Sequence, residues 1–297
     1  MRTRLTDQDI LSIKFLYESG LSSTVLSKRF NTVHSNILNH LRKLNVKMRN
    51  RKDAAREGFR AGRIIIKKNK IPEILELDNN LSYILGVLCG DGYMDYNILR
   101  GNYHIGLSAI DKEFVVKFQL SLYEFFKLNS SNEYRESRKI NWSPQFITRL
   151  CSKEACEFIN SIGSFKKHNW NVPDIIKNSS QEIKCSFLKG FLDSEGEIDK
   201  AIGRITATSM NLNGLENIGN LFNDLGIRST LIKTKDIRPN THQKYRLRIN
   251  DKNSICNFNR LIGFCINRKQ AILDLFVNKW QGRSSEAIIP DKDRLTP

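Results

Sequence analysis

The chain has 297 residues, 40% of them hydrophobic, and carries 48 Lys+Arg against 31 Asp+Glu for a net charge of +17. That length admits about two domains with a sizeable core, and no stretch approaches the ~18 uninterrupted apolar residues of a membrane span. The charge imbalance points to a polyanionic partner, nucleic acid ahead of an acidic membrane surface. Six cysteines (89, 151, 156, 185, 256 and 265) form no CxxC pair and have no His at metal-ligand spacing, and the opening "MRTRLTDQDI" lacks the apolar stretch of a secretory signal. Reduced thiols in the cytoplasm, or in the genome-containing compartment of an organelle, are expected.

Residues 1–47 read as three short helices. "LTDQDILSIKFLYESG" spaces Ile10, Ile13, Leu16 and Tyr17 for one helical face, with Thr6 as N-cap and Gly20 past the end. "LSSTVLSKRF" has Ser22 as cap, and "NTVHSNILNHLRKL" buries Val33, Ile37, Leu38, Leu41 and Leu44. The segment resembles the small helix-turn-helix domains of DNA invertases and many regulators. The resemblance implies that the third helix enters a major groove and turns His34, Ser35, Asn36, Asn39, His40 and Lys43 toward bases and phosphates. Residues 1–70 hold 17 Lys/Arg and 5 Asp/Glu. The connector 48–79, entered through the basic stretch "NVKMRNRKDAAREGFRAGRIIIKKNK", shows no clear apolar stripe. A partly extended segment is expected, with Arg49 and Arg51 against DNA phosphates.

Beyond residue 80 the chain repeats itself. The first half, 80–180, reads as helix (81–91), two strands (93–99, 102–109), helix (112–127), two strands (131–138, 144–151) and helix (153–162). The second half, 181–282, reads as helix (182–194), strands (196–200, 203–208), helix (211–225), strands (227–235, 243–250) and two helices (252–262, 267–279). A C-terminal tail, 283–297, follows. Two αββαββα units predict an α+β protein with pseudo-twofold symmetry and two four-stranded antiparallel sheets behind a small all-α domain.

Each half opens with an apolar run that stops at an acid beside glycine: "YILGVLCGDG" and "SFLKGFLDSEG". A carboxylate at a helix C-terminus faces the negative end of the helix dipole and costs ~0.3–1 kcal/mol. Gly92 and Gly196 suit the left-handed residue that follows many helices. Gly86 and Gly90 are four apart, as are Gly190 and Ser194, so each helix has a flat strip along which the two can cross. Packed that way, Asp91 and Glu195 converge beside helix-end carbonyls. Such a cluster repels itself unless a divalent cation with hard-oxygen preference, such as Mg²⁺, sits between the acids. Hard-oxygen metals on a basic surface imply phosphodiester hydrolysis, and a twofold pair of acids implies both strands of a duplex.

"ILGVLCGDG" and "LKGFLDSEG" resemble the two motifs of LAGLIDADG homing endonucleases in their single-chain, two-motif form. The resemblance covers about 80–282. It implies paired sheets forming two saddles over a double-stranded DNA target, a monomeric enzyme, and Asp91 and Glu195 as catalytic metal ligands, with Gly90 and Ser194 beside them. Some members place a basic residue just after the second strand of each half. Ile110 and Met210 occupy those positions here, so Lys112, Lys166, Lys167, Arg268 and Lys269 are the electrostatic candidates. Asp193 is a polar residue inside the second motif.

Alternation along the outer strands selects Tyr134, Glu136, Arg138, Gln145, Ile147 and Arg149 in the first half, and Arg228, Thr230, Ile232, Lys244, Arg246 and Arg248 in the second, as groove-facing. A slip of one residue would reverse the face. Neither end carries splicing residues (Met1-Arg2, and Leu295-Thr296-Pro297), so a free-standing or intron-encoded nuclease is expected. A transcription regulator on the same scaffold and an RNA-splicing maturase that binds intron RNA are the alternatives.

Overall fold

Thr6 starts the first helix: its hydroxyl accepts from the Asp9 N–H at 3.2 Å while Asp9 accepts from the Thr6 N–H at 2.9 Å. This reciprocal cap satisfies two otherwise orphaned donors. In the computed structural model, which describes residues 5–61, 70–97, 101–137, 143–165, 169–234 and 243–282, the cap opens α1 (Asp7–Glu18). Then come α2 (Ser23–Arg29), capped by Ser22, and α3 (His34–Lys43). Ile13, Tyr17, Leu26, Ile37 and Leu41 form their shared core, with Val46 and Met48 packed against it. The connector then turns helical as α4 (Arg51–Arg60), where an extended segment was expected. Residues 1–68 make one compact unit and 69–297 a second.

The second unit begins with α5 (Asn79–Leu88), started by Asp78, whose carboxylate accepts from the Leu81 N–H at 2.7 Å. Every residue from Leu81 to Leu88 is buried, so this helix is a central element rather than an amphipathic surface one. It leads into β1 (Tyr93–Asn97), β2 (Asn102–Ala109), α6 (Lys112–Phe126), β3 (Ser131–Arg135), β4 (Gln145–Cys151), α7 (Lys153–Ile162) and a short α8 (Asp174–Lys177). The second half repeats the order with α9 (Gln181–Glu195), β5 (Gly196–Ile198), β6 (Ile205–Ser209), α10 (Leu212–Asp224), β7 (Thr230–Lys233), β8 (Tyr245–Ile249), α11 (Lys252–Leu261) and α12 (Asn267–Trp280). The sheets are antiparallel with orders β1-β2-β4-β3 and β5-β6-β8-β7. One continuous core joins both halves.

The two central helices run side by side in the same direction. Ser82 Oγ donates to Ile183 O at 2.6 Å near their starts, and Asn79 bonds Glu182 and Ser186. A Cβ on Gly86 would lie 2.0 Å from Phe187 O, and one on Gly190 would lie 2.3 Å from Tyr83 O. The contacts are reciprocal because each glycine meets the same turn of the other helix. The glycine strips therefore set the crossing distance, as the sequence spacing predicted.

The halves are also latched outside this pair. Arg268, at the start of α12, grips Asp111, at the start of α6, with two bonds of 2.8 Å. Asn211, at the start of α10, donates to Trp170 O from the first half, and the Trp170 ring packs 5.2 Å from that of Phe191.

Candidate active site

Parallel packing of α5 and α9 brings their C-terminal ends together. A Cβ on Gly90 would stand 2.4 Å from Ser194 Cβ and 3.2 Å from Glu195 Cγ. α9 carries Glu195 as its last residue, whereas Asp91 lies in the turn that follows α5, held by the Gly92 N–H donating to Val87 O at 2.9 Å. Gly92 and Gly196 are not left-handed: Gly196 has φ −78°, and Gly92 is absent from the positive-φ positions. Their reason is proximity. A Cβ would come within 2.8 Å of Val87 O at Gly92 and 2.3 Å of Leu192 O at Gly196, so each strand leaves tight against its own helix.

Asp91 and Glu195 line one cavity of about 1020 Å³, together with Tyr93, Trp170, Thr208 and Lys244. Loss of bulk water around the Asp91 carboxyl pushes its pKa up, and the Lys269 charge partly offsets this. Lys269 is buried, and its Nζ donates to Asp193 O at 2.8 Å and Leu192 O at 3.4 Å. It thus supplies positive charge where the negative end of the α9 dipole meets Glu195. Burial lowers the Lys269 pKa, and Asp193 is the largest influence holding it up.

The two carboxylates and the adjoining helix-end carbonyls are hard oxygen donors. Among the described residues no cluster of three or more His, Cys, Asp and Glu side chains could hold a metal. An ion at this site would draw its other ligands from carbonyls, water and phosphate, the habit of Mg²⁺. Ser194 Oγ donates to Gly190 O at 3.1 Å, so its hydroxyl is engaged within the helix and its carbonyl is the group left to offer, as at Gly90.

Residues 182–263 match a LAGLIDADG-like domain. The uncharacterized protein MJ0398 of Methanocaldococcus jannaschii is 30% identical over 200 residues, 64% of this chain and 68% of that one. The chain belongs to the LAGLIDADG family. A probable translation initiation factor IF-2 of the same organism is 26% identical over 236 residues; the match takes in 76% of this LAGLIDADG chain but 18% of the factor. Among solved structures, the homing endonuclease I-DmoI in complex with DNA and Ca is similar at a TM-score of 0.46 and 20% identity, covering 67% of this chain and 100% of that one.

Strand register decides which side chains leave the core. Ile105 and Leu107 of β2 are buried; they pair with Leu150 and Thr148, and Ala109 pairs with Phe146. Gln145 and Arg149 therefore share the opposite, open face of this LAGLIDADG half; Ile147, expected there too, alternates with them but is buried. Arg149 Nε there donates to Tyr93 Oη at 3.2 Å. β3 corrects the sequence reading by one residue. Tyr134 pairs with Phe146 and packs against it, rings tilted, at 5.2 Å between centroids, on the helix side. Glu133 and Arg135 take the open face instead, bridged to each other at 3.1 Å. In the second half, Thr230, Arg246 and Arg248 share the open face with Thr206 and Thr208, opposite the buried Ile205, Ala207, Leu247 and Ile249. Arg228 is exposed just before β7.

Other candidates separate by position. Lys112 is exposed at the head of α6 and outside the cavity wall, and Arg268 is committed to Asp111. Arg138, Lys166 and Lys167 lie outside the described residues. On α3, His34, Ser35, Asn39 and Lys43 are exposed, while Asn36 Nδ2 donates to Thr32 Oγ1 at 3.0 Å. Arg51 opens α4. Arg49, expected on phosphates, instead closes the end of α1. Its guanidinium donates to Tyr17 O, to Gly20 O at 3.1 Å and to Leu21 O at 3.2 Å, and it lies 4.2 Å over the Tyr17 ring.

One element of the site was visible only in part beforehand. Asp193 is 1% exposed and accepts from Tyr83 Oη and from the Cys265 N–H, each at 2.9 Å. Its polar placement inside an apolar motif was legible, but its partners come from α5 and from the loop before α12, 110 and 72 residues away in sequence.

Proposed function

We propose that this chain is a site-specific DNA endonuclease that makes a double-strand break with a bound divalent cation, Mg²⁺ by preference. The single observation that carries the reading is the meeting of Asp91 and Glu195 on one cavity at the twinned ends of α5 and α9. Family membership and the net charge of +17 agree with it.

In this reading Asp91 and Glu195 hold the cation, with the Gly90 and Ser194 carbonyls beside them. A bound Mg²⁺ would neutralise phosphate charge and lower the pKa of a coordinated water. The remaining work belongs to the chain. Lys269 steadies the α9 end and keeps the pair of acids from repelling unopposed. The open faces of both sheets contact the duplex, Arg149, Arg246 and Arg248 being suited to guanine edges or phosphates and Gln145 to adenine. The reaction is hydrolysis: water adds to phosphorus, one backbone P–O bond breaks, and the leaving sugar oxygen takes up a proton. Residues 1–68 act as an additional DNA-binding module, presenting α3 to a major groove. The match to less than a fifth of a translation initiation factor shows a related segment carried within a much longer chain, a distribution suited to a mobile element. Here we favour a free-standing or intron-encoded, monomeric form.

The test begins with a duplex selected from a randomised library by binding to the full-length protein with Ca²⁺. Incubation with Mg²⁺ is expected to linearise a plasmid carrying that duplex, and chelation should abolish cutting. Tight binding with no cutting under any divalent ion would instead establish the regulator alternative, and splicing of an RNA carrying the flanking intron would establish the maturase.

A further inference from the structure

α6 and α10 are the same element of the two halves, yet their outer faces differ. Val115, Phe118 and Leu122 of α6 are buried in the common core, and so are their counterparts Leu215, Ile218 and Phe222 of α10. That alignment matches Val116, Leu120 and Tyr123 on the outer side of α6 with Glu216, Asn220 and Asn223 of α10. The α10 residues form an exposed face that is polar, or partly so, as a solvated helix requires. The α6 residues are apolar or aromatic, and are 39%, 52% and 43% exposed. The fold therefore works with a polar face at this place, and the apolar stripe needs another reason. Exposed apolar residues at i, i+4 and i+7 make the kind of seam by which one helix packs on another. The stripe also lies on the far side of α6 from the sheet, since Phe114 and Phe118 face the core with Ile105, Leu107 and Leu150. It is thus turned away from the open sheet face.

The charges around the stripe are self-complementary. Glu113 stands one turn before it and accepts from the Asn267 N–H at 3.0 Å. Lys127 closes it, its Nζ 2.7 Å from Glu124 Oε2 and 6.0 Å from the Tyr123 ring centroid. Lys117, whose Nζ lies 5.3 Å from the centroid of the Tyr83 ring, and Glu124 run along one margin. A second α6, turned antiparallel about an axis through Leu120, sets Lys127 against Glu113 of the other copy and Lys117 against its Glu124, each twice. A parallel copy would set like charge against like, and such margins select partner and orientation. Lys112, Lys117 and Lys127 against Glu113 and Glu124 leave α6 nearly neutral on a chain of net charge +17. Two copies can approach here without the repulsion that the whole chain carries.

We infer that this face of α6 is a self-association surface, on which a second copy of the chain docks through its own α6 about a twofold axis. One helix pair belongs to the small, transient class of interface, below ~1,200 Å². Dilute chain therefore stays a single-chain molecule, and pairing sets in at about micromolar concentration or above. Each copy keeps its own cavity, and the pairing does not depend on the endonuclease reading.

The experiment is sedimentation velocity of the full-length chain, freed of nucleic acid, over rising concentration. Wild type should pass from monomer to dimer. Leu120→Glu removes apolar contact and sets two carboxylates together on the axis, and should raise the dimer Kd by about tenfold or more. Asn220→Glu, at the equivalent position of α10, should leave it unchanged. Lys117→Glu and Glu124→Lys should each weaken the dimer, and the double exchange should restore it. Thermal melts close to wild type show that the variants are folded. Cutting of the selected duplex at dilution should be the same for Leu120→Glu and wild type, so that loss of pairing and failure of the nuclease reading are told apart. Wild type that stays monomeric at every concentration would overturn the inference and leave the stripe to a different protein. A dimer that survives Leu120→Glu, or one that the double exchange fails to restore, would overturn it as well.

Discussion

Arg49 and Arg246 show how little a basic residue's presence says about its role until its partners are known. Both were expected on DNA. Arg49 spends its guanidinium on three carbonyls at the end of α1 and on the Tyr17 ring, whereas Arg246 is exposed on the open face of β8. Arg49→Ala should therefore destabilise the first unit by about 0.5–1.5 kcal/mol in denaturant titration of the full chain, because it removes hydrogen bonds to partly buried carbonyls, and should leave the salt dependence of DNA binding unchanged. Arg246→Ala should do the reverse: if Arg246 meets a phosphate, the log–log salt slope falls by roughly 0.9 with little change in stability. Tyr83→Phe removes a donor from the buried Asp193 carboxylate and should cost about 1–3 kcal/mol by the same titration. Asp91 and Glu195 were legible in the sequence because an acid at the end of an apolar helix is out of place, and it is out of place twice. Tyr134 was misassigned because β3 is exposed along its whole length; without a buried residue on it, alternation has no anchor, and only pairing with β4 fixes the face.

At the scale of elements, the crossing of α5 and α9 depends on missing side chains. Gly86→Ala and Gly190→Ala would each drive a methyl into the backbone of the partner helix, and should cost about 3 kcal/mol or more, at or beyond the usual range for overpacking. Gly219, inside α10, has nothing nearer than 3.6 Å to an added Cβ. Gly219→Ala should instead stabilise the protein by about 0.5–1 kcal/mol. Thermal melts of the three variants decide between close approach and general helix propensity. The repeat let the order of elements be read before any coordinates, since each half supplied a template for the other. α4 escaped because its pattern is too polar to give an apolar stripe. α8 escaped because four residues are too few to show a period. The end of α5 was displaced because Cys89 to Asp91 leave the helix in a turn, while the equivalent stretch of α9 continues to Glu195. Sequence similarity between the motifs did not distinguish these endings.

For the whole molecule, two compact units share one chain, and the first contributes basic charge out of proportion to its size. Deleting residues 1–68 should leave Mg²⁺-dependent cutting of the selected duplex in place at low salt and weaken binding. It should also flatten the salt dependence of binding by roughly 0.9 for every phosphate that the first unit had neutralised. An unchanged slope would remove the first unit from the DNA-binding surface. The organisation into a helical front domain and a duplicated α+β body was readable from charge and repetition. What sequence could not supply was the latch between halves: Asp111 with Arg268 and Trp170 with Asn211 join residues far apart in the chain, and neither pair belongs to a motif.

The most direct test of the account compares wild type with Asp91→Asn and Glu195→Gln on the selected duplex, reading binding with Ca²⁺ and cutting with Mg²⁺. Each substitution keeps side-chain size and removes one acid from the shared cavity. Both variants should bind close to wild type and lose double-strand cutting by about 10²-fold or more, consistent with removal of a group that stabilises the transition state. Cutting at wild-type rates by either variant would contradict the assignment of the chemistry to the twinned ends of α5 and α9.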